Sequence, residues 1–123
     1  MDQFSFEDLQ VWKKAIDFAK RVIDLSGNIE TDRKHYRLIE QLESSSASIA
    51  MNIAEGKGRY SKKEFIQFLY IARGSLFETV TLMTIFYEKK WINDNQLQAL
   101  RLEAVEIGKM LSSLISSIKK SLP

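Results

Sequence analysis

The chain contains very few of the residues that interrupt helices. Its 123 residues include five glycines and one proline, and the proline is the last residue. A sheet protein of this size needs many turns, so this scarcity favours long helices. Apolar residues also recur at three- and four-residue steps, as from Leu97 through Leu100, Ala104 and Ile107 to Leu111. That spacing is typical of one face of a helix, and we therefore expect an all-α protein.

Four helices are predicted, over residues 6–26, 32–55, 61–90 and 94–120. Three starts carry a capping signal, which is a polar residue followed three positions later by a second polar residue. The three pairs are Ser5 and Asp8, Ser61 and Glu64, and Asn93 and Gln96. Apolar pairs spaced as hydrophobic staples surround the same starts: Phe4 and Leu9, Tyr60 and Phe65, and Ile92 and Leu97. Gly27-Asn28 and Gly56 are predicted to end the first two helices.

Short connections between such helices predict an antiparallel up-down-up-down four-helix bundle. A chain of this length is expected to form a single domain, over residues 1–123. In the hairpin of the second and third helices, the small residues 44–48 are predicted to lie opposite residues 69–73, beside Gly74 and Ser75. Small residues on both sides would let the two helices approach closely, which would give Gly74 a packing role. The alternative interpretation of these serines, as modification or ligand sites, is the weaker one.

The third helix carries more apolar residues than one core requires. Ile66, Tyr70 and Phe77 lie on an arc separate from its main apolar face. Exposed apolar stripes usually mark interfaces, so we expect a homo-oligomer with these three residues in the contact. The alternative is that long Lys and Arg side chains cover the stripe within one chain.

The sequence offers little that could support catalysis or metal binding. Cysteine is absent, and no Glu stands three residues before the single histidine, His35, as a di-iron bundle would require. His35 is predicted to lie on the solvated start of the second helix. The GKG at Gly56–Gly58 lacks the spacing of a nucleotide-binding loop and follows a helix rather than a strand. We therefore predict no enzyme, no catalytic residue, no cofactor and no metal.

Targeting and membrane signals are also missing. The first residues, MDQFSFED, are acidic and lack the apolar core of a signal peptide. No run of about 18 apolar residues is present, so no membrane partner is expected. The lack of cysteine is consistent with a reducing compartment, and we expect the protein in the cytoplasm.

Two polar residues stand out at the end of the second helix. Asn52 and Glu55 lie between apolar neighbours, and Glu55 stands at the negative end of the helix dipole, where it needs a partner. Lys57, Arg59 and Arg73 are the candidates for that partner. We predict a polar latch that holds the corner, and the alternative is a ligand-binding acid. The residues assigned to this structural group are Asn52, Glu55, Gly56, Gly58, Ser61, Glu64, Arg73 and Gly74.

The corner is also basic. Lys57, Arg59, Lys62 and Lys63 stand within seven residues, with Tyr60 among them. The net charge of the whole chain is only +2, so binding to RNA or DNA would depend on this local cluster and on its repetition in an oligomer. Basic residues of the first helix would extend the patch: Lys13, Lys14, Lys20 and Arg21. The alternative is a protein-interaction scaffold, with a protein partner and no contact to nucleic acid.

Three stretches carry a family resemblance. They are FEDLQVWKKA at 6–15, QLESSSASIAMNIAEGKG at 41–58 and KKEFIQFLYIARGSLFE at 62–78. In this order they resemble the four-helix-bundle proteins encoded in intervening sequences of bacterial 23S ribosomal RNA. The family usually has an aromatic-proline step before the second helix, where this chain has NIETDRK.

The resemblance implies a left-handed bundle that assembles as a homopentamer. It also implies kinship with the accessory variability-determinant protein of diversity-generating retroelements, which binds nucleic acid and partners a reverse transcriptase. It supplies no catalytic residues. The positions that match the family's signature read as structural: Asn52, Glu55, Gly56, Gly58, Phe68, Leu69, Gly74, Ser75 and Glu78.

Overall fold

The structure is a computed structural model, and it describes residues 3–29, 31 and 35–123. A 3-10 turn at Ser5–Asp8 precedes four helices: α1 (Gln10–Gly27), α2 (Tyr36–Lys57), α3 (Lys62–Glu88) and α4 (Asp94–Lys120). No strand occurs among the described residues. Helix α2 packs against α1 and α3, and α4 closes the bundle by packing against α3 and α1. The predicted all-α four-helix bundle is confirmed.

The centre of the bundle is filled by apolar side chains from all four helices. Their spacing follows the three- and four-residue steps read from the sequence. The largest fully buried apolar residues are Phe18, Val22, Leu42, Ile49, Ile53, Leu69, Met83, Phe86, Ile107 and Leu111. Burying each is worth about 1.5–3 kcal/mol, so this core supplies the main drive for folding.

The capping signals were read correctly at α4 and in part at α3. Asn93 and Gln96 form both bonds of a capping box, each at 2.8 Å. At α3 the Ser61 side chain accepts a hydrogen bond from the Glu64 amide at 3.3 Å. The prediction for α1 is wrong, because Leu9 is extended (φ −72°, ψ 124°) and separates the 3-10 turn from a helix that begins at Gln10.

Two of the predicted staples are also wrong. Tyr60 and Phe4 are exposed instead of packing beyond their helix starts. Phe4 stacks on Phe6 with ring centroids 5.6 Å apart. Ile92 and Leu97, by contrast, are both buried.

Glycine does not end the first two helices. Gly27 is the last residue of α1, and Gly56 lies inside α2, which continues to Lys57. None of the glycines has a positive φ. The predicted start of the second helix near Asp32 falls outside the described residues, and the described helix begins at Tyr36.

The end of α3 uses a lysine where a glycine is usual. Lys90 has φ 64°, the one positive φ among the described non-glycine residues. Its amide bonds the Tyr87 carbonyl at 2.9 Å, and the Trp91 amide bonds the Phe86 carbonyl at 2.8 Å. These two bonds form a Schellman motif, so the helix ends at Glu88 rather than at residue 90.

Aromatic packing covers this end of the bundle. The Trp91 ring lies 5.1 Å from Phe86 and 4.5 Å from His35. His35 is therefore partly buried against Trp91, and the prediction of a solvated histidine is wrong. The sequence separation of 56 residues left no local signal for this contact.

Helices α2 and α3 approach most closely at Gly56. A methyl group added there would lie 2.6 Å from Phe68 Cβ and 2.9 Å from Phe65 Cδ1. Gly74 has nothing within 4 Å of the equivalent position, so the predicted packing role of Gly74 is wrong. The close approach exists, but on the other helix and nearer the corner.

Hydroxyl groups link α2 and α3 further from the corner. Ser48 Oγ lies 2.9 Å from Ser75 Oγ, and Ser45 Oγ lies 2.8 Å from Thr79 Oγ1. The predicted register, with residues 44–48 opposite 69–73, is therefore displaced by roughly one and a half helical turns.

Helices α1 and α4 are joined differently, by charged groups at the surface. Lys14 Nζ lies 2.7 Å from Glu106 Oε1, and Arg21 forms an ion pair with Glu103. These pairs run antiparallel along the seam between the two helices.

Candidate nucleic-acid interface

The end of the bundle that contains the α2–α3 corner gathers positive charge from two parts of the chain. Lys62 Nζ donates to Ser121 Oγ at 3.1 Å, which places the start of α3 beside the residues that follow α4. The last two residues of α4, Lys119 and Lys120, therefore lie at the same end as the corner. The sequence analysis did not assign this pair to the patch, although the up-down topology brings the end of α4 to the corner.

The four corner cations differ in how freely they are presented. Arg59 Nη2 pairs with Glu55 Oε1 at 2.6 Å, and its guanidinium lies 4.8 Å from the centroid of Phe68. Lys57 is half-buried, with its ammonium 5.9 Å from the Phe65 ring. Lys62 and Lys63 are both exposed in the first turn of α3, so they are the most accessible of the four.

The basic residues of α1 do not continue this patch. Lys14 pairs with Glu106, which lies 14 residues before the end of α4 at Lys120, or about 21 Å at the rise of a helix. Arg21, paired with Glu103, lies further still from the corner. Lys13 is exposed one turn into α1. The structure thus separates Lys14 from Lys62 and Lys63.

The polar groups at the end of α2 form two separate contacts. Glu55 pairs with Arg59, one of its three predicted partners. Asn52 Nδ2 donates to the Ser48 carbonyl at 2.8 Å and to Ser48 Oγ at 2.9 Å. Because Ser48 also bonds Ser75 on α3, Asn52 reaches α3 through Ser48 rather than directly.

Arg73 takes no part in the corner. Its guanidinium lies 4.8 Å from the ring centroid of Tyr70 and 5.9 Å from that of Phe77. This places Arg73 on the α3 surface that faces α4. The predicted grouping of Arg73 and Gly74 with Asn52 and Glu55 is therefore wrong.

Tyr70 is held between two cations. Lys119 Nζ donates to the Tyr70 hydroxyl at 2.7 Å and lies 5.2 Å from the ring centroid. The hydrogen bond from Lys119 lowers the pKa of Tyr70 below 10, and the charges of Lys119 and Arg73 act in the same direction against a small opposing effect of burial. Positive charge therefore continues from Lys62 and Lys119 onto the face of α3 that turns toward α4.

The predicted interface residues divide between core and surface. Ile66 is only 7% exposed and belongs to the core, so its assignment to an interface is wrong. Tyr70 and Phe77 are exposed. The helical phase accounts for the difference, since Ile66 lies three residues before Leu69 and six before Ala72, both of which are fully buried.

Two searches of the described residues came back empty. No group of three or more His, Asp or Glu side chains in them could hold a metal ion. None of their helices is long and apolar enough to cross a membrane.

The fold and this end of the molecule define a small helical bundle with a cationic corner. The chain belongs to the 23S rRNA-intervening sequence protein family, whose model matches residues 7–113. The family resemblance read from the three sequence stretches is thereby confirmed.

A solved structure supports the same assignment. The chain is similar to a protein of unknown function from the S23 ribosomal protein family of Bacteroides thetaiotaomicron, with 28% identity and a TM-score of 0.80. The similarity covers 85% of this chain and 97% of the solved one. No curated protein matches this chain.

Proposed function

We propose that this protein is an oligomeric, non-enzymatic nucleic-acid-binding protein of the cytoplasm. It contacts the phosphates of RNA or DNA through the corner cations, with Lys62 and Lys63 as the principal contacts and Lys57 and Arg59 as supporting ones. The observation that carries the proposal is the bond between Lys62 and Ser121, because it joins the corner to Lys119 and Lys120 in one cationic surface.

Oligomerisation gives this surface its effect. A single bundle presents few phosphate contacts, and a net charge of +2 provides little long-range attraction. Copies arranged around an axis repeat the patch, and linked sites bind more tightly than each site alone. The family resemblance implies a pentamer, which would present five patches.

Binding to a single-stranded RNA and to a DNA of the same length should be measured at about 50 and 200 mM salt. We expect both to bind with weak sequence preference. With about four phosphate contacts, the affinity should fall by roughly 100-fold over that range of salt.

The variant Lys62→Glu/Lys63→Glu tests the site. We expect it to lose at least about tenfold in affinity, because it reverses the two most accessible charges of the patch. The control, Lys20→Glu/Lys89→Glu, makes the same change in net charge at exposed positions away from the corner and should bind as the native chain does. Absence of binding at low salt, or equal losses in both variants, would contradict the proposal.

Exposed apolar residues favour a second candidate, which is a scaffold that binds a protein and no nucleic acid. Ile71 on α3 and Leu102 on α4 are both exposed, which is the usual mark of a protein contact. Recovery of one defined partner by the native chain, unaffected by nuclease and accompanied by no binding to RNA or DNA, would favour this candidate.

A further inference from the structure

A groove of about 540 Å³ runs between α3 and α4 on the outside of the bundle. Leu76 and Ala104 form its buried floor. Phe77 and Val105, which are 58% and 52% exposed, stand on its two sides. Large apolar side chains left in water at facing positions of two helices indicate a surface that another molecule covers.

The charges around this groove have one sign. Arg73, Arg101 and Lys109 line it, and no acidic residue is among the residues that do. The acids of α4 that lie nearby are turned the other way, since Glu103 and Glu106 pair with Arg21 and Lys14 of α1. A complementary partner must therefore be apolar along its centre and acidic at its edges.

The outward face of α2 on this same chain has that character. Met51, the apolar residue nearest its middle, is 67% exposed. Glu40, Glu43 and Glu55 project around the same side of α2, since they stand three to four residues or two to three turns from Met51. This face lies on the opposite side of the bundle from α4, which α2 does not contact.

The heights of the two surfaces along the bundle also agree. Ser45 of α2 lies level with Thr79 of α3, so Glu40, five residues earlier in an antiparallel helix, lies level with residue 84 of α3. Leu76 lies against Gly108 of α4, so Arg101, seven residues earlier, lies level with residue 83. Glu40 and Arg101 therefore stand at the same height to within about one or two residues, or about 3 Å.

The apolar residues correspond in the same way. Ser48 lies level with Ser75, which places Met51 level with residue 72 and thus beside the stretch of α3 between Tyr70 and Phe77. Two copies standing side by side and pointing in the same direction would therefore match acid to base and apolar to apolar without any sliding of one bundle along the other.

We propose that a second copy of this chain occupies the α3–α4 groove, with the outward face of its α2 seated there, Glu40 beside Arg101 and Met51 against Phe77. The inference rests on the oligomer of the proposed function and names the surfaces that form it. Because the two surfaces lie on different sides of the bundle, the contact is heterologous, and repetition closes a ring.

The absence of cysteine permits a direct test. The variant Glu40→Cys/Arg101→Cys carries both cysteines in one chain, one on each surface. Mild oxidation should link successive copies into a ladder of covalent multimers on a non-reducing denaturing gel. The control pair Lys20→Cys/Arg101→Cys should form no such ladder, since Lys20 lies on α1.

Charge reversal provides a second test. Arg101→Glu/Lys109→Glu and Glu40→Lys/Glu43→Lys should each dissociate the oligomer, as seen by sedimentation velocity, with circular dichroism showing that each still folds. An equal mixture of the two variants should assemble again, because each reversed groove then meets a reversed α2 face.

The outcomes separate this inference from the function on which it rests. A native oligomer without the ladder, or one that survives both reversals, would overturn the interface and leave the oligomer intact. A native monomer at roughly 100 μM would overturn both. Loss of RNA or DNA binding by Arg101→Glu/Lys109→Glu, with assembly unchanged, would overturn the interface in favour of a nucleic acid in the groove.

Discussion

Gly56 of α2 lies so close to Phe68 of α3 that a methyl group on Gly56 would meet Phe68 Cβ at 2.6 Å. The atom in the way is next to the backbone, so it cannot move aside without moving α3. Gly56→Ala should therefore lower the free energy of unfolding by about 1–3 kcal/mol, in spite of alanine's better helix propensity.

Gly74 offers the matched control for this substitution. It also lies inside a helix, and nothing stands within 4 Å of the position a Cβ would take. Gly74→Ala should raise the free energy of unfolding by about 0.5–1 kcal/mol, since only the helix propensity changes. Urea unfolding measures both variants, and a destabilised Gly74→Ala would show that α3 packs differently from the structure.

Lys90 pays a backbone strain that glycine would relieve. An L-residue in the left-handed conformation costs roughly 1–2 kcal/mol, and Lys90 has φ 64°. Lys90→Gly should therefore stabilise the protein by about 1 kcal/mol in thermal unfolding. Lys89→Gly should have the opposite sign, because Lys89 is right-handed (φ −78°) and glycine there only adds freedom to the unfolded chain.

The hydroxyl pair between α2 and α3 should show measurable coupling. Ser45 Oγ and Thr79 Oγ1 are 2.8 Å apart and buried, and Thr79 also donates to the Ser75 carbonyl at 2.8 Å. Ser45→Ala should cost about 1 kcal/mol, and a double-mutant cycle with Thr79→Val should give a coupling energy of similar size.

Ser46→Ala is the control for that cycle. Ser46 is equally buried, but its hydroxyl donates to the Glu43 carbonyl of its own helix. Its removal should cost less than that of Ser45. Equal costs for the two serines, or independent effects of Ser45 and Thr79, would show that the bond across the helices adds nothing to stability.

Tyr70 should ionise before the other tyrosines in an alkaline titration followed by ultraviolet absorbance. The hydrogen bond from Lys119 lowers its pKa, so Lys119→Met should raise that pKa back toward 10, whereas Lys120→Met should leave it unchanged. A lowered pKa means that the folded state favours the phenolate. Any stabilisation from this group is therefore absent below the lowered pKa and appears as the pH rises toward 10. An unchanged titration in Lys119→Met would contradict the contact.

The parts of the fold that the sequence revealed depend on local chemistry. The box of Asn93 and Gln96 and the cap by Ser61 act over three residues, so a single stretch of sequence contains both partners. The apolar period of α4 likewise states which of its sides is buried. The family resemblance added what the local patterns could not, because it covers the two conserved-looking stretches at 41–58 and 62–78 together.

The parts that were missed depend on contacts between distant residues. Gly56 and Gly74 look alike in sequence, and only the register of α2 against α3 decides which one needs to lack a side chain. The ring of His35 meets Trp91 across two helix ends, and Lys119 meets Tyr70 across 49 residues. Lys90 was missed for another reason, since the usual signal for a left-handed helix end is glycine.

The two seams of the bundle respond to different solutes. Hydroxyl bonds and the close approach at Gly56 join α2 to α3, and dissolved ions have little effect on either. The pairs Lys14–Glu106 and Arg21–Glu103 lie at the surface between α1 and α4, where added salt screens them. Rising ionic strength therefore loosens the α1–α4 seam while the α2–α3 hairpin keeps its grip, so a bundle that opens at high salt opens along α1 and α4.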